Sequence, residues 1–273
     1  MTEMPRLESD EVEASKAPLM EHLLELRSRL IKCVLAVILG CLICIPFLDE
    51  IISLLMWPFQ VAIERYNADM VAVGRDAIDL ELISTYPLET FFVKLKIALF
   101  GGIVLGFPVL SYQVYRFVAP GLYKNEKRAF LPYLLVSPLL FVAGASLVFF
   151  FIFPFVMQFA LGQQMITEDQ SIELLTKIAD YLKLATTLFL AFGLSFQLPV
   201  ILSLLGRAGI IRADTLKKGR KYALFGIAVF AAFVTPPDPF SQFILIAAIY
   251  LLYEVSIISV SVLQKEKPKP EVA

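Results

Sequence analysis

Six uncharged, strongly apolar runs divide the chain: residues 33–48, 97–115, 129–162, 184–206, 222–235 and 240–263, the last interrupted by Glu254. A hydrocarbon core about 30 Å thick takes roughly 20 apolar residues in a helix. Runs of this order predict membrane-spanning helices. The first is expected to begin a turn or more earlier, within 21–32, and the second has a partly polar lead-in over 88–96. The third is 34 residues long and carries Pro132, Pro138 and Pro154. That predicts one long helix, tilted or kinked.

Run five is short. Its 14 residues reach roughly 21 Å at about 1.5 Å per residue. Thr235, Pro236, Pro237, Asp238 and Pro239 then turn the chain back. Proline donates no backbone hydrogen bond and pushes the preceding residue out of helix. Helices five and six are therefore predicted to form a tight hairpin. Either the membrane is thinned there, a partner covers the shortfall, or the helix begins earlier with the basic side chains of 217–221 reaching back to water.

Composition agrees with lipid as the solvent. The 273 residues are 58% hydrophobic and 18% charged, with a mean hydropathy of +0.75. A soluble domain is about a quarter charged. No cleavable leader is expected, because residues 2–12 are polar and acidic and no apolar stretch precedes residue 30.

The net charge of −1 decides nothing, but its placement does. Arg6, Lys16, Arg27, Arg29 and Lys32 precede run one. The connection 49–86 has only Arg65 and Arg75 beside seven acidic residues. Arg116, Lys124, Lys127 and Arg128 follow run two, and the third connection is poor, with Lys177. Arg207, Arg212, Lys217, Lys218, Arg220 and Lys221 follow run four, none follows run five, and Lys265, Lys267 and Lys269 close the chain. This alternation predicts six crossings with both termini on the cytoplasmic side. Connection 49–86 has apolar stretches of its own and is expected to be partly helical over the outer mouth, with Trp57 beside Pro58 as an interfacial anchor. The expected organisation is a polar cytoplasmic segment (1–17), a six-span membrane domain (18–263) and a disordered tail (264–273).

The chemistry is sparse. His22 is the single histidine. No phosphate-cradling, metal-ligating or nucleophile motif occurs. Cys41 and Cys44 have C-x-x-C spacing inside run one, where hydrocarbon opposes the thiolate a redox or metal role needs; they read as small apolar filler. No enzyme, metal or cofactor is expected, and no nucleic-acid partner. A small-solute transporter needs polar groups deep in its spans, and only Gln197 and Glu254 qualify. Glu25 before run one and Glu126 between runs two and three lie among Lys and Arg at one rim. They are either solvated loop carboxylates or a binding pair. Gly102 and Gly106 form G-x-x-x-G in run two and predict packing within the subunit.

Four segments together resemble one known family. They are 18–30 (PLMEHLLELRSRL), 112–128 (YQVYRFVAPGLYKNEKR), 191–200 (AFGLSFQLPV) and 235–242 (TPPDPFSQ). Their order and spacing resemble the C subunit of the twin-arginine protein translocase of the bacterial cytoplasmic (inner) membrane. The resemblance implies an all-α polytopic membrane protein, a concave curved bundle with short helices five and six. It implies a receptor for twin-arginine signal peptides of folded cargo. Its expected partners are the single-span A and B subunits and membrane lipids in a multimeric complex, with transport driven by the protonmotive force.

The family's signal-binding acids fall on Glu25 and Glu126, an aromatic position on Phe117, and a motif arginine on Arg27. Two carboxylates can take two guanidinium forks, which lysine does not match. Gln197 stands where many relatives have glutamate, and a helix–helix hydrogen bond is the alternative account of it. Thr235 and Gln242 fall on a polar patch that docks a partner helix, with Ala232 at a position often held by methionine. Pro236, Pro237 and Asp238 form the outer turn, where capping of helix six is sufficient for Asp238.

Overall fold

The computed structural model describes residues 6–74, 77, 82–84, 86–118, 131–163, 165–167, 170–172, 177–235 and 239–265. Ten helices dominate these residues. α1 (Arg6–Cys44) carries the polar leading segment and the first apolar run on one rod of 39 residues, so the helix begins well before the expected turn. Pro46 then lies in a 3-10 turn, Ile45–Phe47. It has no N–H to offer, and its ring opposes the carbonyl of Leu42. The chain re-forms as α2 (Leu48–Ala72), with Asp49 and Glu50 in the first turn facing the positive end of the helix dipole. α2 accounts for the helix expected in 49–86.

α3 (Glu89–Val118) is run two. Run three is α4 (Leu131–Leu147), a π-helical turn Val148–Ile152 and α5 (Phe153–Leu161). Pro154 cannot donate to the carbonyl of Phe150, and the wider π turn takes up the mismatch. Two departures from helix occur among the described residues: a pair of three-residue antiparallel strands, β1 (Met165–Thr167) and β2 (Gln170–Ile172), and a single parallel bridge between Ile83 and Lys177. Run four, expected as one helix, is two: α6 (Ile178–Ser195) and α7 (Leu198–Arg207). Pro199 near the start of α7 leaves the carbonyl of Ser195 without its helical donor, and the chain steps at Phe196 and Gln197.

α8 (Ala213–Lys218) and α9 (Arg220–Val234) are separate helices meeting at Gly219. Run five therefore does not extend back through 217–219. At 15 residues, α9 is about 22 Å long. α10 (Pro239–Lys265) is run six. Five helical stretches among the described residues are long and apolar enough to cross a bilayer, and α9 is not one of them. The expected tail beyond Lys265 lies outside the described residues.

α1 packs on α3, α2 on α5, α4 on α6, and α10 on α7 and α9. Small residues set the closest approaches. A Cβ on Gly102 would lie 2.5 Å from Cys41 Sγ and 2.7 Å from the Val37 carbonyl, and one on Gly40 would lie 2.7 Å from the Gly102 carbonyl. The Gly102–Gly106 pair thus serves packing within the chain, as expected. Cys41 and Cys44 are free thiols set against Gly102 and Gly101, filling space. An aromatic cluster (Phe59, Phe149, Phe153, Tyr181, Phe189) ties α2, the π turn, α5 and α6, with centroids 5.2–6.2 Å apart. Trp57 stacks on Phe149 at 5.1 Å. Beside it an apolar cleft of about 520 Å³ opens between α1–α3 and α4, lined by Phe47, Leu54, Val104, Phe141 and Phe150 among others.

Candidate functional site

The α1–α3 packing fixes which residues share a level. Gly40 meets Gly102, and four residues back along α1, Ala36 meets Gly106, four residues forward along α3. The helices are antiparallel, and each step advances both equally. The same register puts Arg29 level with Gln113 and Glu25 level with Phe117. Two site residues predicted from distant parts of the sequence therefore come to one end of one helix pair. Phe117 is half-buried there. Glu126 lies outside the described residues.

Glu25 already holds a guanidinium. Both Nε and Nη2 of Arg29 donate to its Oε1, the first at 3.1 Å. Four residues on one helix bring the two side chains together. The Arg29 side chain is 13% exposed and that of Glu25 35%, so the carboxylate is the more open to water. Arg27, two residues from Glu25, points to the far side of the helix and is exposed. The structure does not bring Arg27 to Glu25, and it puts Arg29, which sequence reasoning did not single out, in that place. The glutamate-to-arginine spacing of four was the available signal.

Gln197 lies at the α6–α7 step, buried. Ser137 Oγ donates to its Oε1 at 2.6 Å, and its Nε2 donates to the Ser137 carbonyl at 3.0 Å. The Tyr115 hydroxyl lies 3.2 Å from the same Oε1 and 3.1 Å from Ser137 Oγ. The amide is satisfied by helices α3 and α4, which is the helix–helix alternative. Thr235 is buried, with its hydroxyl on the Ala231 carbonyl of its own helix at 2.9 Å. Gln242 is half-buried in the first turns of α10, and Ala232 is exposed. The turn residues Pro236, Pro237 and Asp238 lie outside the described residues. Glu254 accepts a hydrogen bond from Arg220 at 2.7 Å, joining α10 to the start of α9. Both deep polar candidates for a solute path are thus held by neighbouring helices. Among the described residues no group of three or more His, Cys, Asp or Glu could hold a metal ion.

Fold and site define a polytopic α-helical membrane protein, with a carboxylate and an aromatic ring level at one end of an antiparallel helix pair. Residues 21–247 match the family of the Sec-independent protein translocase protein TatC. The TatC of Magnetococcus marinus is 40% identical over 258 residues, covering 94% of this chain and 89% of that one. That of Escherichia coli K12 is 35% identical, covering 88% and 86%. A crystal structure described as the twin-arginine translocase receptor TatC superposes with a TM-score of 0.74 at 33% identity, over 89% of this chain and 99% of that one. A second, of that receptor in the detergent DDM, gives 0.73 at 34%. This chain belongs to the TatC family of protein translocase components.

Proposed function

We propose that this chain is the receptor subunit of a twin-arginine translocase in a bacterial cytoplasmic membrane. It binds twin-arginine signal peptides of folded proteins through Glu25 and Glu126, with Phe117 flanking the site. It acts without chemistry of its own, together with single-span A and B subunits and the protonmotive force. The alternation of basic and basic-poor connections supports both termini inside, with α9 as the short fifth crossing. The observation that carries the reading is the Glu25 carboxylate, partly open to water and already accepting a guanidinium.

A carboxylate takes an arginine fork in a geometry an ammonium does not reproduce. Each exposed pair contributes about 1 kcal/mol or less, so selectivity for paired arginines needs two acids acting together. The aromatic face beside them offers a stacking surface to a guanidinium. Thr235 and Gln242 flank the turn where α9 and α10 receive a partner helix. Arg27, on the outer side of α1, does not share the Glu25 pocket and acts outside it.

The test is binding of a twin-arginine peptide to the full chain in lipid nanodiscs. Glu25→Ala, Glu126→Ala and a twin-lysine peptide are each expected to lose tenfold or more. Equal binding in all cases would overturn the assignment.

A further inference from the structure

Resting on that reading, we infer that Arg29 is a resident competitor for Glu25, occupying the carboxylate until a signal-peptide arginine displaces it. Both of its contacts converge on Oε1. Its guanidinium is tucked in, while the carboxylate it holds is the more exposed partner. An incoming cation therefore meets an acid whose Oε1 is already taken, and competes with a guanidinium there rather than with water.

This exchange sharpens selection. An arginine that displaces Arg29 returns two N–H donors to the carboxylate, as Arg29 places on Oε1. A lysine must break a forked contact and return a point contact. A specific receptor discriminates as much by penalising the wrong ligand as by attracting the right one. The resident pair is weak enough to yield, since ion pairs spaced by four on one helix add only modestly to stability.

The opposite role is a positioning residue that aims Glu25 at the peptide. The two roles differ in sign. The experiment measures the affinity of full-length protein in nanodiscs for three peptides, with Arg-Arg, Arg-Lys and Lys-Lys ahead of one apolar segment. Wild type, Arg29→Gln and Arg29→Lys are compared, with helix content and the single Trp57 emission reporting folding.

Competition predicts that Arg29→Gln binds the Arg-Arg peptide about two- to fivefold more tightly. It predicts a larger gain for Lys-Lys, so that the ratio between them narrows, with Arg29→Lys in between. Weaker Arg-Arg binding in Arg29→Gln, or an unchanged ratio, would overturn the inference. If the glutamine variant does not fold, the lysine variant alone decides, because it keeps the charge and loses the fork. Absence of any Arg-Arg preference in wild type would instead sink the receptor reading itself.

Discussion

Ser137 and Gln197 are joined twice: the serine hydroxyl donates to the amide oxygen at 2.6 Å, and the amide nitrogen donates back to the serine carbonyl at 3.0 Å. The pair holds α4 to the step between α6 and α7, and Tyr115 adds α3. Gln197→Leu leaves a hydroxyl and a carbonyl buried without this partner. The expected loss is about 1–3 kcal/mol. Tyr115→Phe should cost less, because the double bond persists. Unfolding in detergent measures both; a Gln197→Leu loss below about 0.5 kcal/mol, the size of a neutral surface change, would show that the network is not holding the three helices.

The two glycines of α3 differ in what surrounds them. A methyl group at Gly102 meets the Val37 carbonyl and Cys41 Sγ below 3 Å, whereas at Gly106 the nearest atom, Leu110 Cδ1, is 3.3 Å away at the end of a flexible side chain. Gly102→Ala is expected to destabilise by about 1–3 kcal/mol and Gly106→Ala much less. Adding Cys41→Ala should recover only part of the Gly102→Ala loss, since the backbone oxygen remains. Thermal midpoints of the three variants decide it, and equal midpoints for the two glycine variants would contradict the packing.

Arg220 and Glu254 are expected to act as a staple between α9 and α10, not as part of a path. Arg220 stays charged at any working pH, because a guanidinium is not deprotonated in proteins. Glu254→Gln should lower the thermal midpoint while leaving Arg-Arg peptide affinity intact. The exchange Arg220→Glu with Glu254→Arg should restore the midpoint. If Glu254→Gln alters affinity and not the midpoint, the staple is wrong.

The length of α9 predicts a preference for thin membranes. A helix of about 22 Å in a core of about 30 Å exposes polar ends or compresses the bilayer. The isolated chain is expected to be most stable in bilayers of short acyl chains, and to lose stability steadily as the chains lengthen. Thermal unfolding across a lipid series reads this directly, and a rise in stability with thickness would show that the hairpin is not the thin point.

Much of the membrane architecture was legible in the sequence, because burial in lipid writes itself as uncharged length. Run three with Pro154, the short run five and the helix in 49–86 all follow from local chemistry that holds in any context. Three features depend on the fold. The break at Phe196 and Gln197 follows from Pro199, but Ser137 and Tyr115, which satisfy the Gln197 amide there, come from other helices, and no local pattern announces them. The start of α1 at Arg6 extends past the apolar run into polar sequence that hydropathy does not mark. The candidate acid Glu25 and the candidate ring Phe117 stand out by residue type, but their shared level does not. Glu25 and Phe117 are neighbours in level only because Gly40 and Gly102 let α1 and α3 meet backbone to backbone. The sequence by itself determined the long apolar helices and the short fifth run, since these rest on hydropathy and helix length. Helical spacing alone puts Arg29, and not Arg27, on Glu25; only the tertiary structure decided that Ser137 and Tyr115 close the Gln197 amide, because those partners come from other helices whose packing no local pattern encodes.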